Sequence, residues 1–436
     1  MTTDATAALR SVIAANRAGH SAMMPSICTA HRDALLAAVL LAGERGQAVL
    51  IEATSNQVNQ HGGYTGMRPA DFRDMVHAIC DRAGVDRALI LLGGDHLGPQ
   101  VWRRQPAEAA MRAAETLVAG YVAAGFRKIH LDCSEGCSGE PAQMGDGEAA
   151  ARAARLARIC EDAAEGDPSL VYVIGTEVPP PGGARAEEHG IVATTAAAAR
   201  RTLAMHHAAF EAIGIGAACR RIVGLVVQPG VEFAPMHVDV LPDNAAPGLI
   251  GALDDAPGVC FEAHSTDYQP AEVYPRLANM GFAIQKVGPA LTFAYRRALY
   301  ALADALAAMG FRTPANTISA RMEALMLVEP SWWQGHYHGT PDQQRQMRHF
   351  SFSDRIRYYW PYAEAQGAVN DLFADLVRVT VPDAVLRQYF PAEVMERGAS
   401  LTARGIANRE KGLVLAEIQH ALLPYFIAPM GDRHAG

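Results

Sequence analysis

From about residue 21 onward, short aliphatic and β-branched runs recur along the chain. Each is broken by a polar or glycine-rich stretch and followed by an alanine-rich segment with apolar positions at helical spacing. The runs are MPSICTA (24–30), AVLIEA (48–53), RALILL (87–92), KIHLD (128–132), LVYVIG (170–175), RIVGLVVQ (221–228), VCFEA (259–263) and FAIQKV (282–287). Between them, helices are predicted near 32–42, from 69, at 107–124, 147–164, 195–213 and 247–254, after Pro270, and at 291–309. Eight βα units in about 310 residues predict a (β/α)8 barrel, whose core is filled by branched side chains from its strands. The rival open, doubly wound sheet would carry a G-x-G-x-x-G or Walker sequence after an early strand, and the chain has neither.

Past about Thr313 the strand signal stops, while ISARMEALML, PDQQRQMRHF, AEAQGAVNDLFADLV, PDAVLRQYF and GLVLAEIQHALL keep helical spacing. The pattern therefore divides the chain into a barrel over 1–310, which carries the site, and a helical extension over 311–436. EPSWWQGHYHGT and SFSDRIRYYWPY concentrate aromatics, His and Arg between those helices, as a lid over the barrel mouth or an oligomer contact would. Packing or an interface is the expected use of these aromatics, ahead of substrate contact.

If the barrel closes, the residues ending its strands converge on one mouth. LILLGGDHLGP (89–99) reads as a buried strand that stops at Gly93-Gly94, whose unusual dihedrals would set Asp95 and His96 at its carboxyl end. The other strand ends supply Glu52 with Ser55, Asn56 and Gln57, then Asp132 with Ser134 and Glu135, then Thr176-Glu177. Gln228 with Glu232, Glu262 with His264, and Lys286 complete the set. His96, Glu177 and His264 follow the third, fifth and seventh strands. Two imidazoles, a carboxylate and an open position make a catalytic divalent site, Zn²⁺ first, with Mn²⁺ or Co²⁺ as alternatives. Gln228, Glu135, Glu232 and Glu262 are reserve ligands. Asp95 beside the cation is placed to move a proton, or else to orient an imidazole. Lys286 with the Gly288 backbone is a candidate phosphate site, the alternative being a Schiff-base lysine. In this reading Asp95, Glu135 and Asp132 are the catalytic candidates, and Asn56, Ser134, Gln228, Lys286 and Gly288 the substrate contacts.

Composition narrows the partner. The 436 residues are half hydrophobic and carry a formal net charge of -8, against a nucleic-acid surface and in favour of a small solute. No apolar run approaches the roughly 20 residues of a membrane span, and Met1–Leu9 lacks a basic start or an apolar signal core, so a cytoplasmic protein is expected. Seven cysteines without finger spacing fit reduced thiols; Cys133 and Cys137 make only half a metal site and are read as structural.

NQHGGYTGM, GGDHLGPQVW, HLDCSEGC, IGTEVPPPGG, FEAHSTDYQ, QKVGPALTFA, GHYHGT and SDRIRYYWP resemble the signature runs of the GatZ/KbaZ family, across almost the whole chain including the extension. That family is described as non-catalytic subunits of class II tagatose-1,6-bisphosphate aldolase and is often labelled tagatose 6-phosphate kinase. The resemblance implies a metal-dependent barrel similar to class II aldolases, in which an Asp near a metal-binding His relays protons; Asp95 and His96 match in kind. The third aldolase histidine, expected after strand six, has no counterpart in LVVQPGVEF, so Gln228 or a carboxylate would replace it. Related members are 4-epimerases of free or 6-phosphorylated tagatose and fructose, an activity these residues fit better than kinase chemistry. The implied partners are a sugar or sugar phosphate, a class II aldolase catalytic subunit, and further copies of the chain.

Overall fold

The computed structural model describes residues 5–176, 191–245, 248–311 and 317–426. Eight parallel strands close a barrel in chain order: β1 (Met24–Cys28), β2 (Val49–Thr54), β3 (Ile90–Leu97), β4 (Lys128–Asp132), β5 (Val171–Gly175), β6 (Ile222–Val226), β7 (Cys260–Ala263) and β8 (Phe282–Val287), with β8 pairing back onto β1. The (β/α)8 architecture and the helical C-terminal elements match the sequence pattern. One expected helix, at 247–254, is a single 3₁₀ turn, Leu249–Leu253. A small antiparallel pair, Glu232–Phe233 with Val238–Asp239, stands over the β6 end of the mouth.

Alternation along each strand sorts the side chains. Outward residues such as Ile51, Ile129, Leu131 and Phe261 join the large apolar layer between sheet and helices. Inward residues stack in tiers. The lowest is apolar and includes Met24, Leu50, Leu91, Val171, Val223 and Cys260. It is sealed from below by α1 (Ala5–Arg17), whose Ala5, Leu9 and Ile13 belong to the same cluster. Above that tier the inward residues become charged.

The extension packs on the barrel's outer helices. Helix Arg409–Leu422 lies against Pro289–Ala308 and Arg32–Arg45, and its Leu413, Val414, Leu415 and Ile418 join the same continuous apolar core. A 3₁₀ turn, Arg355–Tyr359, reaches the mouth. It is pinned by a buried Arg296–Asp354 ion pair (3.0 Å) and by the Arg355 N–H donating to Tyr337 Oη (3.1 Å).

Candidate active site

The site is built on a bulge. β3 does not stop at its glycines but runs on to Leu97, and pairing with β4 jumps from Gly94↔Ile129 to Leu97↔Leu131, one extra residue on the β3 side. His96 absorbs the irregularity with φ 47°, a left-handed conformation unusual for a residue with a Cβ. Its carbonyl is held by Ser55 Oγ (2.9 Å) and Gln100 Nε2 (3.1 Å). The strained residue is therefore the histidine, and neither Gly93 nor Gly94 has a positive φ. Those glycines are required by proximity instead. A Cβ on Gly93 would stand 2.7 Å from Glu52 Oε1, and one on Gly94 2.5 Å from Leu97 Cδ1. Because of the bulge, the consecutive Asp95 and His96 both project into the barrel.

Three imidazoles meet there. The rings of His96, His130 and His264 stand 5.0, 5.0 and 5.2 Å apart pairwise, all buried. Each gives one nitrogen to a carboxylate: His96 Nδ1 to Asp132 Oδ2 (2.7 Å), His130 Nδ1 to Asp95 Oδ1 (2.9 Å), His264 Nε2 to Glu262 Oε1 (2.9 Å). Carboxylates placed in this way fix ring orientation and leave the other nitrogen available to a metal. The buried His130 Nε2 has no hydrogen-bond partner. Donor atoms of Asp95, His96, His130 and His264 all lie within 4.8 Å of one another. An orphaned imidazole nitrogen, two further rings and a carboxylate fit a divalent cation of the Zn²⁺ or Mn²⁺ type.

Electrostatics keep His130, His264 and Asp95 in ligand form, whereas His96 holds its proton more tightly and a cation there would have to displace it. Burial pulls the His264 pKa down to about 3, helped by the Lys286 ammonium, and burial also lowers His130. Burial acts the same way on His96, but Asp95 and Asp132 outweigh it and leave its pKa raised. For Asp95, burial favours the neutral acid, yet His96 and Lys286 overcome it and hold the carboxyl well below its usual range.

Beneath the histidines lies a buried ionic tier. Lys128 Nζ bridges Glu52 Oε1 (2.6 Å) and Glu262 Oε2 (2.8 Å) at the barrel centre, with all three side chains wholly buried. Lys286 pairs with Asp95 and with Glu52 Oε2 (3.0 Å). Glu52 thus supports Lys286, and Glu262 supports His264.

Of the residues singled out from sequence, Asp95, His96, His264, Lys286, Asn56, Gln57 and Gly288 line one cavity at the mouth. Asp132 lies behind His96, and Ser134 donates both its N–H (3.1 Å) and its Oγ–H (2.7 Å) to Asp132. Glu135 pairs with Arg103 and does not line the cavity. Gln228 takes the N–H groups of Gly230 (2.8 Å) and Val231 (3.1 Å), closing a turn, so it does not stand in for a third histidine. Glu232 caps the Phe233 N–H in the hairpin. Glu177 lies outside the described residues. Gly288 N–H and Ala290 N–H both donate to Asp267 Oδ1 (3.0 and 2.8 Å), so a protein carboxylate occupies the helix N-terminus expected to hold phosphate. The third imidazole is His130, the centre of KIHLD, which is not among the candidates at the strand ends. Strand alternation was the available signal, since Lys128, His130 and Asp132 share the inward face. Arg357 and Tyr358 of the extension also line the cavity.

Fold and donor set together define a (β/α)8-barrel protein whose mouth carries a buried His and Asp cluster with the spacing to hold a metal ion. The chain belongs to the D-tagatose-1,6-bisphosphate aldolase subunit GatZ/KbaZ-like family, whose model matches residues 9–430. It is 46% identical over 433 residues to a D-tagatose 6-phosphate 4-epimerase of Agrobacterium fabrum, covering 98% of this chain and 100% of that one. It is 41% identical to the D-tagatose-1,6-bisphosphate aldolase subunit GatZ of Salmonella dublin, over 96% and 98%. The crystal structure of a probable tagatose 6 phosphate kinase from Sinorhizobium meliloti superposes with a TM-score of 0.83 at 45% identity, covering 93% of this chain and 99% of that one. No helix among the described residues is long and apolar enough to cross a membrane.

Proposed function

We propose that this protein interconverts tagatose 6-phosphate and fructose 6-phosphate by inverting C4, as a metal-dependent epimerase of tagatose-type carbohydrate metabolism. The observation that carries the reading is Asp95 lining one cavity with His96, His264 and Lys286, while the third carboxylate-tethered imidazole, buried His130, has a donor atom within 4.8 Å of theirs. Zn²⁺ is the proposed ion; His96, His130 and His264 would hold it, with Asp95 as a further donor within reach. Such an ion would supply Lewis-acid stabilisation of the charge that develops on the C2 oxygen when the C3–C4 bond opens.

The chain's own groups do the rest. Asp95 accepts the proton from O4 as the C3–C4 electron pair moves toward C2, leaving an enediolate and glyceraldehyde 3-phosphate. Lys286 and His130 hold its Oδ1, and Oδ2, which accepts from the Cys28 thiol (3.3 Å), is the oxygen that faces O4. The aldehyde turns its other face to C3, the bond re-forms, and Asp95 returns the proton to O4. Asp132 and Glu262 act as positioning residues, holding the rings of His96 and His264, while Asn56 contacts the sugar at the rim. Tyr64, Trp332 and Tyr358 pack over the mouth (Tyr64–Tyr358 4.8 Å, Trp332–Tyr358 5.0 Å), which favours recombination over escape of the aldehyde. A kinase reading has no glycine-rich phosphate loop to rest on.

The test is to incubate the pure protein with each ketohexose 6-phosphate and follow the sugars by NMR. Interconversion that is abolished by chelator, restored by metal and lost in His264→Ala supports the reading; inertness with metal present refutes it. A second reading, as a stabilising aldolase subunit, is favoured by the naming of the 41% identical relatives. It predicts inertness alone and a higher yield of active aldolase when the two chains are combined.

A further inference from the structure

The cavity mouth holds a cation that the site described so far does not use. Lys286 is committed to Asp95 and Glu52. Arg357 is not committed: no carboxylate among the described residues pairs with its guanidinium, although it lines the same cavity as Asp95 and His264. The neighbouring acid, Asp354, pairs through Oδ1 with Arg296 Nε (3.0 Å) and meets the Arg357 guanidinium only through its backbone carbonyl.

Arg357 is nevertheless held in place. Nη1 donates to the carbonyls of Ser353 and Asp354, and Nη2 donates to Tyr358 Oη (3.0 Å). The guanidinium carbon sits 4.5 Å over the Tyr358 ring. That ring is itself fixed, stacked on Trp332 at 10° and met by Tyr64 and by the Arg355 guanidinium (4.8 Å). These bonds leave Nε–H and one Nη2 hydrogen without an acceptor among the described residues. A rigid planar cation with two free donors suits a bidentate anion, as guanidinium forks commonly do with phosphate. The backbone position expected to take that anion is closed, because the Asp267 carboxylate already accepts from Gly288 and Ala290.

We infer that Arg357, carried into the barrel mouth by the C-terminal extension and braced by Tyr358, binds the terminal phosphate of a phosphorylated ketohexose and sets the preference for phosphorylated over free sugar. The assignment rests on the proposed epimerase reading for the identity of the sugar. It gives the extension a role in specificity: it delivers a cation that none of the barrel strands leaves free.

The experiment is calorimetric titration of metal-loaded protein with tagatose 6-phosphate and with tagatose, with turnover of both followed on the same samples. The wild-type protein is expected to bind the phosphate ester on the order of 10- to 100-fold more tightly, the range for charge-assisted hydrogen bonds. In Arg357→Met that ratio falls to within about threefold, because the phosphorylated ligand loses affinity, and Arg357→Lys, which keeps charge without the fork, gives an intermediate ratio. A wild-type ratio near one, an unchanged ratio in Arg357→Met, or equal weakening of both ligands overturns the assignment. If Arg357→Met does not fold, an unchanged ratio in Arg357→Lys overturns it. Should the affinity ratios behave as expected while no sample turns over either sugar, the phosphate site stands and the epimerase reading falls.

Discussion

Strand alternation and one bulge set the side chains of the site close together, and the smallest positions around them are as constrained as those side chains. Gly98, which follows the bulge, is extended at φ -174° and needs no special dihedral. A Cβ there would stand 1.7 Å from the Asp132 carbonyl oxygen, a backbone atom that cannot rotate away. Gly98→Ala is therefore expected to displace the end of β4, and with it the carboxylate that holds His96. The predicted cost is about 1–3 kcal/mol of stability together with weakened metal binding, read by urea denaturation and equilibrium dialysis. Normal stability and normal metal affinity in Gly98→Ala would show that the Asp132–His96 pair is not set by this contact. At this scale the sequence was only partly legible. Asp95, His96 and His264 stand beside strand ends flanked by glycine or polar residues, where a buried strand has no use for them. His130 sits between Ile129 and Leu131 and looks like an incidental core residue until the inward face of β4 is read as Lys-His-Asp. Gln228 was drawn in by its place after β6, but its amide serves the turn at Gly230.

Whole elements were easier to read, because an aliphatic run followed by an alanine-rich helix is a repeating signal that single substitutions do not erase. The pattern ends β3 at its glycines, because glycines usually end a strand, whereas here they admit Glu52 and Leu97 and the strand continues to Leu97. The repeating pattern does not predict α1, which precedes the first βα unit and belongs to no repeat. Its apolar face is a short stripe: Ala5, Leu9 and Ile13, four apart, with Ala8 and Val12 at the edge, plug the lower end of the barrel beneath the ionic tier. Leu9→Ala, at a fully buried position, is expected to destabilise by about 2–5 kcal/mol and to lower the melting temperature by several degrees, measured by thermal denaturation with metal content followed in parallel. A melting temperature unchanged from wild type would mean that α1 does not seal the barrel. The extension's helices were legible as helices; the placement of Arg357 was not, because SFSDRIRYYWPY is rich in aromatics that mostly do pack, as Trp360 does against Tyr295 (5.1 Å).

For the molecule as a whole, burial of histidines away from the mouth couples stability to pH. His31, His206 and His349 are each pushed by burial down to about 4. A folded-state pKa below the unfolded value near 6.5 means that the unfolded chain takes up these protons first. The associated stability is present above pH 6.5 and is lost as pH falls toward 4. For the fully buried His206, whose Nδ1 bonds the Thr202 carbonyl (2.8 Å), the loss amounts to up to about 3 kcal/mol. Urea denaturation between pH 7 and 4 is expected to show this decline, with a shallower slope in His206→Gln; identical slopes would remove His206 from the account.

The central claim is that His96, His130 and His264, each steered by its own carboxylate, share one divalent ion at the barrel mouth. Equilibrium dialysis of the metal-stripped protein against Zn²⁺, run beside His130→Ala, tests it most directly. The predicted result is one ion per chain in the wild type and an affinity lowered by at least about 100-fold in the variant, on the scale of losing a ligand. No stoichiometric binding by the wild type, or undiminished binding by His130→Ala, would contradict it.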